Sequence, residues 1–268
     1  MRLGLLTAAF GDRPLDDVAA WATAAGFDAL EVYCPPGREP SVPGGIEISA
    51  LAYYPNNLDP DPTAREAAHA HLRRVVDAAQ QLGIGLVCTF AGADPAKRLA
   101  ENLDEFRRAW PPLVEHAEER GVRIAIENCP MVAWPGGTNL AYCPAAWDAM
   151  FEAIPRPSLG LNLDPSHLVW LQVDYERAVR EYGSRIFHVH AKDTEIRRDE
   201  LNRRSILSLG AGWQEGRMPG RGEVDWARFV GALREVGYDG VLSVEHEDHD
   251  MSLEAGFELA RDKLRPLL

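Results

Sequence analysis

Two kinds of hydrophobic pattern alternate along the whole chain. Short apolar runs predict β-strands, and several of them carry a polar residue at every second position. Longer segments with apolar residues three or four positions apart predict α-helices. The predicted strands lie near 3–10, 29–33, 47–53, 85–91, 123–129, 159–164, 186–192 and 241–247. The predicted helices lie near 15–26, 64–82, 96–120, 144–154, 174–183, 225–237 and 252–266. The chain is therefore expected to repeat a strand-then-helix unit throughout its length.

One connection between strands departs from this rhythm. Residues 34–45, CPPGREPSVPGG, join the second and third strands and contain too much Pro and Gly for a regular helix. Eight such units in 268 residues predict a single α/β domain over residues 1–268. The expected fold is a (β/α)8 TIM barrel in which the helix between strands 2 and 3 is short or missing. A doubly wound open sheet is the main competitor, but no GxGxxG or P-loop motif follows any strand.

The polar residues of the last four strands share one face. In residues 159–164, LGLNLD, the leucines alternate with Gly160, Asn162 and Asp164. One face of a barrel strand packs against helices and the other points into the barrel interior, so the polar set is expected to face inward. The same alternation turns four chemically active side chains toward the barrel mouth: Glu127, Asp164, His190 and Glu245. Since functional groups of this fold lie at the C-terminal ends of the strands, we expect these four to meet.

Three carboxylates and an imidazole in a partly buried site predict a bound cation. Without one, the carboxylates would repel one another and would be poorly solvated. Oxygen-rich ligation favours Mn²⁺ or Mg²⁺, and the single imidazole also admits Co²⁺, Fe²⁺ or Zn²⁺. The four residues are therefore predicted to hold a divalent metal ion, with Mn²⁺ preferred.

Charge and composition narrow the range of partners. The formal net charge is −13, which argues against a protein that tracks nucleic-acid phosphates or binds anionic lipid. No apolar run approaches the roughly 20 residues that span a bilayer, and residues 1–14 predict a strand rather than a signal peptide. The four cysteines are far apart and form no CxxC pair, which excludes a zinc ribbon and is typical of a cytoplasmic protein. We expect a small-molecule substrate, with a homo-oligomer left open.

Four short motifs carry a resemblance to a known family. They are IAIEN with Glu127, LDPSH with Asp164 and His167, HVHAKD with His190 and Lys192, and LSVEHE with Glu245. With these motifs the chain resembles the sugar isomerase/epimerase branch of the xylose isomerase-like TIM barrels over essentially its whole length. The resemblance implies that Glu127, Asp164, His190 and Glu245 bind the metal. It also implies that Glu127 and Glu245 move the proton and that His167 contacts a substrate hydroxyl or carbonyl.

The chain also departs from the ketose 3-epimerases of that branch. Those enzymes carry a second glutamate six residues beyond the first, where this chain has Ala133. The segments SVEHED and GGTNLAYCPAAW are more similar to a broader set of sugar isomerase-like proteins. Some relatives of that kind act on 3-keto-glycosides and cleave the glycosidic bond by elimination.

The predicted site suits proton removal next to a carbonyl. A metal that binds a carbonyl oxygen and a neighbouring hydroxyl lowers the barrier to removing the proton between them and holds the resulting enediolate. One of Glu127 and Glu245 would take the proton and the other would return one, to the opposite face or to the next carbon. The same first step followed by loss of a β-substituent gives a lyase. The sequence therefore predicts a metal-dependent sugar isomerase/epimerase, with a lyase that cleaves 3-keto-glycosides as the alternative.

Further residues are candidates for substrate contacts. Lys192 lies at the barrel mouth, and Trp134 follows the fifth strand. Residues 194–224 form an unusually long, arginine-rich segment after the seventh strand, which predicts a lid. Arg197 is the preferred substrate contact there, since the resembling epimerases place a substrate-binding arginine near this position, and Arg221 is the second choice.

The last expectations concern the positions of the remaining histidines and two other functions that a barrel of this kind could have. His188 is predicted to lie deeper in the barrel than His190, whereas His69, His71 and His116 are expected on the surface of outer helices. An apurinic endonuclease of the same superfamily would need a basic groove and more histidines, and the net charge of −13 disfavours it. A non-enzymatic binding barrel would not need all four predicted ligands.

Overall fold

The computed structural model describes residues 1–131, 139–206, 208 and 212–268. Eight parallel strands close a barrel in the order β1-β10-β7-β6-β5-β4-β3-β2. These strands are β1 (Arg2–Leu6), β2 (Ala29–Tyr33), β3 (Glu47–Ala52), β4 (Leu86–Thr89), β5 (Arg123–Glu127), β6 (Leu159–Leu163), β7 (Ile186–Ala191) and β10 (Val241–Val244). A separate antiparallel hairpin pairs β8 (Asp193–Ile196) with β9 (Gln214–Arg217). The predicted barrel is confirmed, and β3 follows β2 with no helix between them in this described stretch.

The helices alternate with groups of strands along the chain. They are α1 (Leu15–Ala24), α2 (Pro62–Leu82), α3 (Leu99–Ala109), α4 (Pro111–Glu118), α5 (Pro144–Ala153), α6 (Pro165–Trp170), α7 (Tyr175–Tyr182), α8 (Arg198–Arg204), α9 (Trp226–Glu235) and α10 (Leu253–Leu264). The prediction of a single helix near 96–120 is wrong, because this segment forms two helices that meet at Trp110. Proline lacks the backbone N–H of a helix interior and is tolerated in the first turn, so Pro111 and Pro112 start a new helix. No helix in the described ranges is long and apolar enough to cross a membrane.

The chain divides into two compact units. One contains residues 1–31, 42–49 and 164–268, and the other contains residues 32–41 and 50–163. In the first, β10 lies between β1 and β7, and Leu242 aligns with Leu3 and Val189. All three of these side chains are fully buried. The shared register therefore builds one apolar layer from three strands and leaves the alternate positions for polar residues.

The second unit repeats this arrangement around β5. Ile124 aligns with Val87 on β4 and with Leu159 on β6, and all three are fully buried. The same unit corrects the surface placement of two histidines. His71 contacts the carbonyl oxygen of Cys34 at 2.9 Å and His69 that of Asn57 at 2.8 Å. Both lie on the buried stripe of α2, where hydrogen bonds to backbone carbonyls allow a polar ring to be buried. His116 is half-buried beside Asp77.

The segment predicted as a long loop contains regular structure. The β8–β9 hairpin and α8 occupy most of the described residues between 193 and 217. Neither strand has an apolar run, so hydrophobic alternation did not indicate them. Ion pairs hold the hairpin instead: the Arg217 guanidinium contacts Glu195 at 2.7 Å and Asp248 at 3.2 Å.

Asp193 anchors the return of this segment to the barrel. Its fully buried carboxylate accepts hydrogen bonds from three more distant groups, the backbone N–H of Gly220 at 2.9 Å, that of Val224 at 3.0 Å and the indole N–H of Trp226 at 3.0 Å. It also accepts one from the adjacent Thr194 N–H at 2.9 Å. Gly222 approaches so closely that a Cβ there would overlap the same carboxylate. One side chain therefore satisfies four donors.

Asp193→Ala should lower the free energy of unfolding by about 3 kcal/mol or more, since each buried donor left without a partner costs about 1–3 kcal/mol. Urea unfolding followed by circular dichroism measures the change. Asp199→Ala, at an exposed position in the first turn of α8, is the control and should change stability by less than about 0.5 kcal/mol. Equal stability of the two variants would contradict the anchoring role.

Candidate metal centre

Four predicted site residues lie at the carboxyl ends of barrel strands. Glu127 is the last residue of β5, His190 lies in β7, and Asp164 and Glu245 directly follow β6 and β10. Within the first unit, one ligand atom from each of Asp164, His190 and Glu245 lies within 4.8 Å of those from the other two. Glu127, Asp164 and His190 are buried and Glu245 is half-buried. The first unit therefore brings together two of the carboxylates and the imidazole that strand alternation turned inward, and Glu127 ends β5 in the second unit.

Lys192 lies among the acidic groups. Its ammonium nitrogen Nζ is 2.7 Å from Glu245 Oε2, 3.0 Å from Glu247 Oε2 and 3.4 Å from Asp164 Oδ2. The residue is only 3% exposed, so this charge is compensated by the protein rather than by bulk water. Burial alone would raise the pKa of Glu245, but the charge of Lys192 and a contact with His190 hold the pKa well below its usual range. Glu245 is therefore a carboxylate at neutral pH.

His190 is held from its other side by Glu31. The ring nitrogen Nε2 is 3.0 and 3.2 Å from the two carboxylate oxygens of Glu31, and Nδ1 is 3.4 Å from Glu245 Oε2. His188 also contacts Glu31, at 3.1 Å, which agrees with its predicted position inside the barrel. Burial would raise the pKa of Glu31, but the two histidines lower it well below its usual value.

A network of hydrogen bonds fixes the backbone around Glu127. The side-chain amide of Asn139 donates to the carbonyl oxygens of Glu127 at 2.7 Å and Cys129 at 2.9 Å. Its oxygen accepts from the N–H groups of Ala91 at 3.1 Å and Gly92 at 3.2 Å. Asn139 is fully buried, so it ties the end of β5 to the loop that follows β4.

The donor set fits a divalent ion. Asp164, Glu245 and Glu247 are three carboxylates around one cation, Lys192. The balance of two negative charges in a buried site is unfavourable unless a cation compensates it. Carboxylate oxygens with one imidazole suit Mn²⁺, Mg²⁺ or Zn²⁺. Cys34 is not a thiolate at neutral pH, because it is buried and burial raises the pKa of its thiol to about 12.

The remaining predicted residues lie at different distances from this cluster. His167 is in α6, where its Nε2 is 3.3 Å from Asp164 Oδ2. Asp164 itself caps α6 by accepting from the N–H of Ser166. Arg197 directly precedes α8, has a 41% exposed side chain and pairs with Glu215 at 3.2 Å. Arg221 pairs with Asp248. Trp134 lies outside the described residues.

The sequence reasoning missed Glu31 and gave the inward-facing Glu247 no role. Glu31 is the only charged residue in the strand ALEVY, and a carboxylate inside an apolar strand is the signal that could have identified it. Glu247 lies two residues after Glu245, and side chains two positions apart share one face of a strand. The alternation that selected Glu245 therefore also places Glu247 on the inward face. Neither signal shows which histidine or lysine each carboxylate contacts.

Comparison with known proteins agrees with this architecture. The family model described as xylose isomerase-like TIM barrel matches residues 19–267. A 3-dehydroshikimate dehydratase of Pseudomonas putida is 29% identical over 91% of this chain, which spans 38% of that protein. An inosose isomerase of Bacillus velezensis is 27% identical over 75% of this chain and 66% of its own length.

A solved structure shares the fold over the whole chain. The IolI protein, crystallised with a bound zinc atom, superposes with a TM-score of 0.78 over 100% of this chain and 99% of its own, at 18% identity. At this level of identity the likeness concerns the fold. The predicted family is confirmed by the family model, and the chain belongs to the xylose isomerase-like TIM barrel family.

Proposed function

We propose that this protein is a divalent-metal-dependent isomerase or epimerase of a sugar or a related polyhydroxy carbonyl compound. The observation that carries the proposal is the convergence of Asp164, His190 and Glu245 within 4.8 Å of one another, with Lys192 in contact with Asp164 and Glu245. Relatives named as an isomerase and a dehydratase support this chemical range.

The proposed reaction begins with proton removal next to a carbonyl. Glu127, Asp164, His190 and Glu245 would hold the ion, which when bound supplies Lewis-acid polarisation of a carbonyl oxygen. Glu245 is ionised and is oriented by Lys192 at 2.7 Å, and it is the proposed proton acceptor. Glu127, carrying a proton taken up from solvent, would return that proton to the substrate. His167, Lys192, Arg197 and Trp134 are the proposed substrate contacts, and Mn²⁺ is the proposed ion because oxygen ligands predominate.

An elimination is the second candidate function. The relative from Pseudomonas putida is named a dehydratase, and loss of water from a carbonyl compound begins with the same proton removal. Such a site would act as a metal-dependent lyase that cleaves 3-keto-glycosides by β-elimination. The two candidates differ only in the fate of the carbanion: reprotonation at carbon gives the isomer, and expulsion of a β-substituent gives the lyase product.

Hydrogen–deuterium exchange tests both candidates together. The protein would be incubated in D₂O with ketoses, inososes and 3-keto-glycosides, with Mn²⁺ or with a chelator, and followed by NMR. Deuterium at the carbon next to the carbonyl, lost with chelator and restored by Mn²⁺, would support the proposal. Release of water or an aglycone would select the lyase. No exchange on any substrate by the Mn²⁺-loaded protein would overturn both.

Arg197→Ala tests the proposed substrate contact at the hairpin. Because its pair with Glu215 is solvent-exposed, the substitution should cost less than about 1 kcal/mol of stability. Loss of a hydrogen bond from a charged group to substrate should raise KM about tenfold, with kcat nearly unchanged. Steady-state kinetics on the substrate found by exchange measures this, with Arg204→Ala as the control because Arg204 forms a similar exposed pair with Glu200. An unchanged KM would contradict the contact.

A further inference from the structure

One fully buried carboxylate has no part in the proposed reaction. Glu31 lies in β2 with no exposed surface. Its oxygens contact Nε2 of His188 at 3.1 Å and Nε2 of His190 at 3.0 and 3.2 Å. A buried carboxylate is costly and persists when it is paired and hydrogen-bonded, so its placement between two imidazoles calls for a specific role.

The contact determines which nitrogen of His190 carries a proton. An ionised carboxylate can only accept hydrogen bonds, so Nε2 of His190 donates to Glu31. A neutral imidazole with its proton on Nε2 has its lone pair on Nδ1. That Nδ1 atom is 3.4 Å from Glu245 Oε2, on the side where the proposed ligands converge. A carboxylate on Nε2 therefore orients the ring and favours the tautomer that a metal ion requires.

We propose that Glu31 is a positioning residue that presents Nδ1 of His190 to the divalent ion. This inference rests on the proposed function only in assuming that the ion is bound. Glu31 itself lies on the opposite side of the imidazole from Glu245 and acts through His190. His188 occupies a second position on the same carboxylate without belonging to the set of four ligands.

Glu31→Gln tests the inference, because the amide preserves the volume of the side chain and removes its charge. Loss of a carboxylate behind a metal-binding histidine typically weakens metal affinity about 10–100-fold, and we expect this change in the Kd for Mn²⁺ by isothermal titration. The second measurement is the ¹⁵N spectrum of histidine-labelled protein. In the wild type the His190 signals should show a protonated Nε2, and in Glu31→Gln they should shift toward a mixture of tautomers.

Two further variants separate positioning from a loss of fold. Glu31→Asp keeps a carboxylate on a shorter side chain and should partly restore both the Kd and the Nε2-protonated signal. His188→Gln removes a partner of Glu31 but leaves the contact between Glu31 and His190 in place, so its Kd should stay close to the wild-type value. Circular dichroism spectra and thermal unfolding of each variant establish that it is folded.

The outcomes distinguish this inference from the proposed function. A folded Glu31→Gln protein with the wild-type Kd and an unchanged His190 tautomer would overturn the inference alone. Weakened binding with a shifted tautomer would support it even if no substrate exchanged deuterium, a result that would overturn only the proposed function. Wild-type protein that binds neither Mn²⁺ nor Zn²⁺ would overturn both.

Discussion

Glu245→Gln is expected to lower kcat by about 10³-fold or more, since positioned proton transfer alone contributes about 10²–10⁴-fold. The amide cannot take up a proton from carbon, and it also removes one negative charge from the ligand set. Its oxygen can still accept from Lys192, which is 2.7 Å from the glutamate, so the fold should be retained. Glu127→Gln is expected to show a loss of the same order, because Glu127 is the proposed partner in proton transfer.

Glu247→Gln is the matched control for this prediction. Glu247 also contacts Lys192, at 3.0 Å, but its side chain is 45% exposed and it is not among the four converging ligands. The same change of charge next to the same lysine should therefore leave kcat within about tenfold of the wild type. Initial rates of deuterium incorporation with saturating Mn²⁺ compare the three variants. Wild-type rates in Glu245→Gln or Glu127→Gln would exclude the assigned proton transfer.

The alternation of side chains in strands accounts for most of what the sequence predicted. A period of two residues fixes which face a side chain occupies, so the inward placement of Asp164 and His190 follows from the leucines and valines beside them. The order of strands in a TIM barrel then places the ends of β5, β6, β7 and β10 side by side. The first inference uses only the local alternation of side chains. The second uses only the strand order of the TIM barrel.

The unpredicted features depend on contacts distant in the sequence. Glu31 and His190 are 159 positions apart and Arg217 and Asp248 are 31 apart, and no periodicity links such pairs. The β8–β9 hairpin is held by backbone bonds and ion pairs, so its polar strands resemble a loop. His69 and His71 are buried because carbonyl groups from other segments accept their hydrogen bonds, and a helix pattern alone cannot indicate those acceptors.

Lys192→Met is expected to have opposite effects on stability and on metal affinity. The ammonium of Lys192 contacts Asp164, Glu245 and Glu247, and its removal leaves neighbouring carboxylates without their cation. Breaking a buried ion pair by removing one partner costs about 3–5 kcal/mol, so the metal-free variant should unfold at a markedly lower temperature. Turnover should fall as well, because Glu245 loses the group that orients it.

Metal affinity should change in the other direction. A divalent ion among Glu127, Asp164 and Glu245 is repelled by the ammonium group beside them, so its removal should tighten Mn²⁺ binding on the order of tenfold, about 1.4 kcal/mol. Mn²⁺ should then raise the unfolding temperature of Lys192→Met more than that of the wild type, since ligand stabilisation grows with affinity. Differential scanning calorimetry with and without Mn²⁺ measures both effects.

Lys97→Met is the control for the predicted loss of metal-free stability and the predicted larger response to Mn²⁺. Lys97 pairs with Glu105 at 3.0 Å on the surface, where ion pairs contribute little, so neither its metal-free stability nor its response to Mn²⁺ should differ from the wild type. An equal or smaller response to Mn²⁺ in Lys192→Met would mean that the ion does not share the carboxylates of this lysine. The larger response would instead show that Lys192 and the ion compete for the same negative charge. Lys192 would then weaken metal binding while holding Glu245 in place for proton transfer.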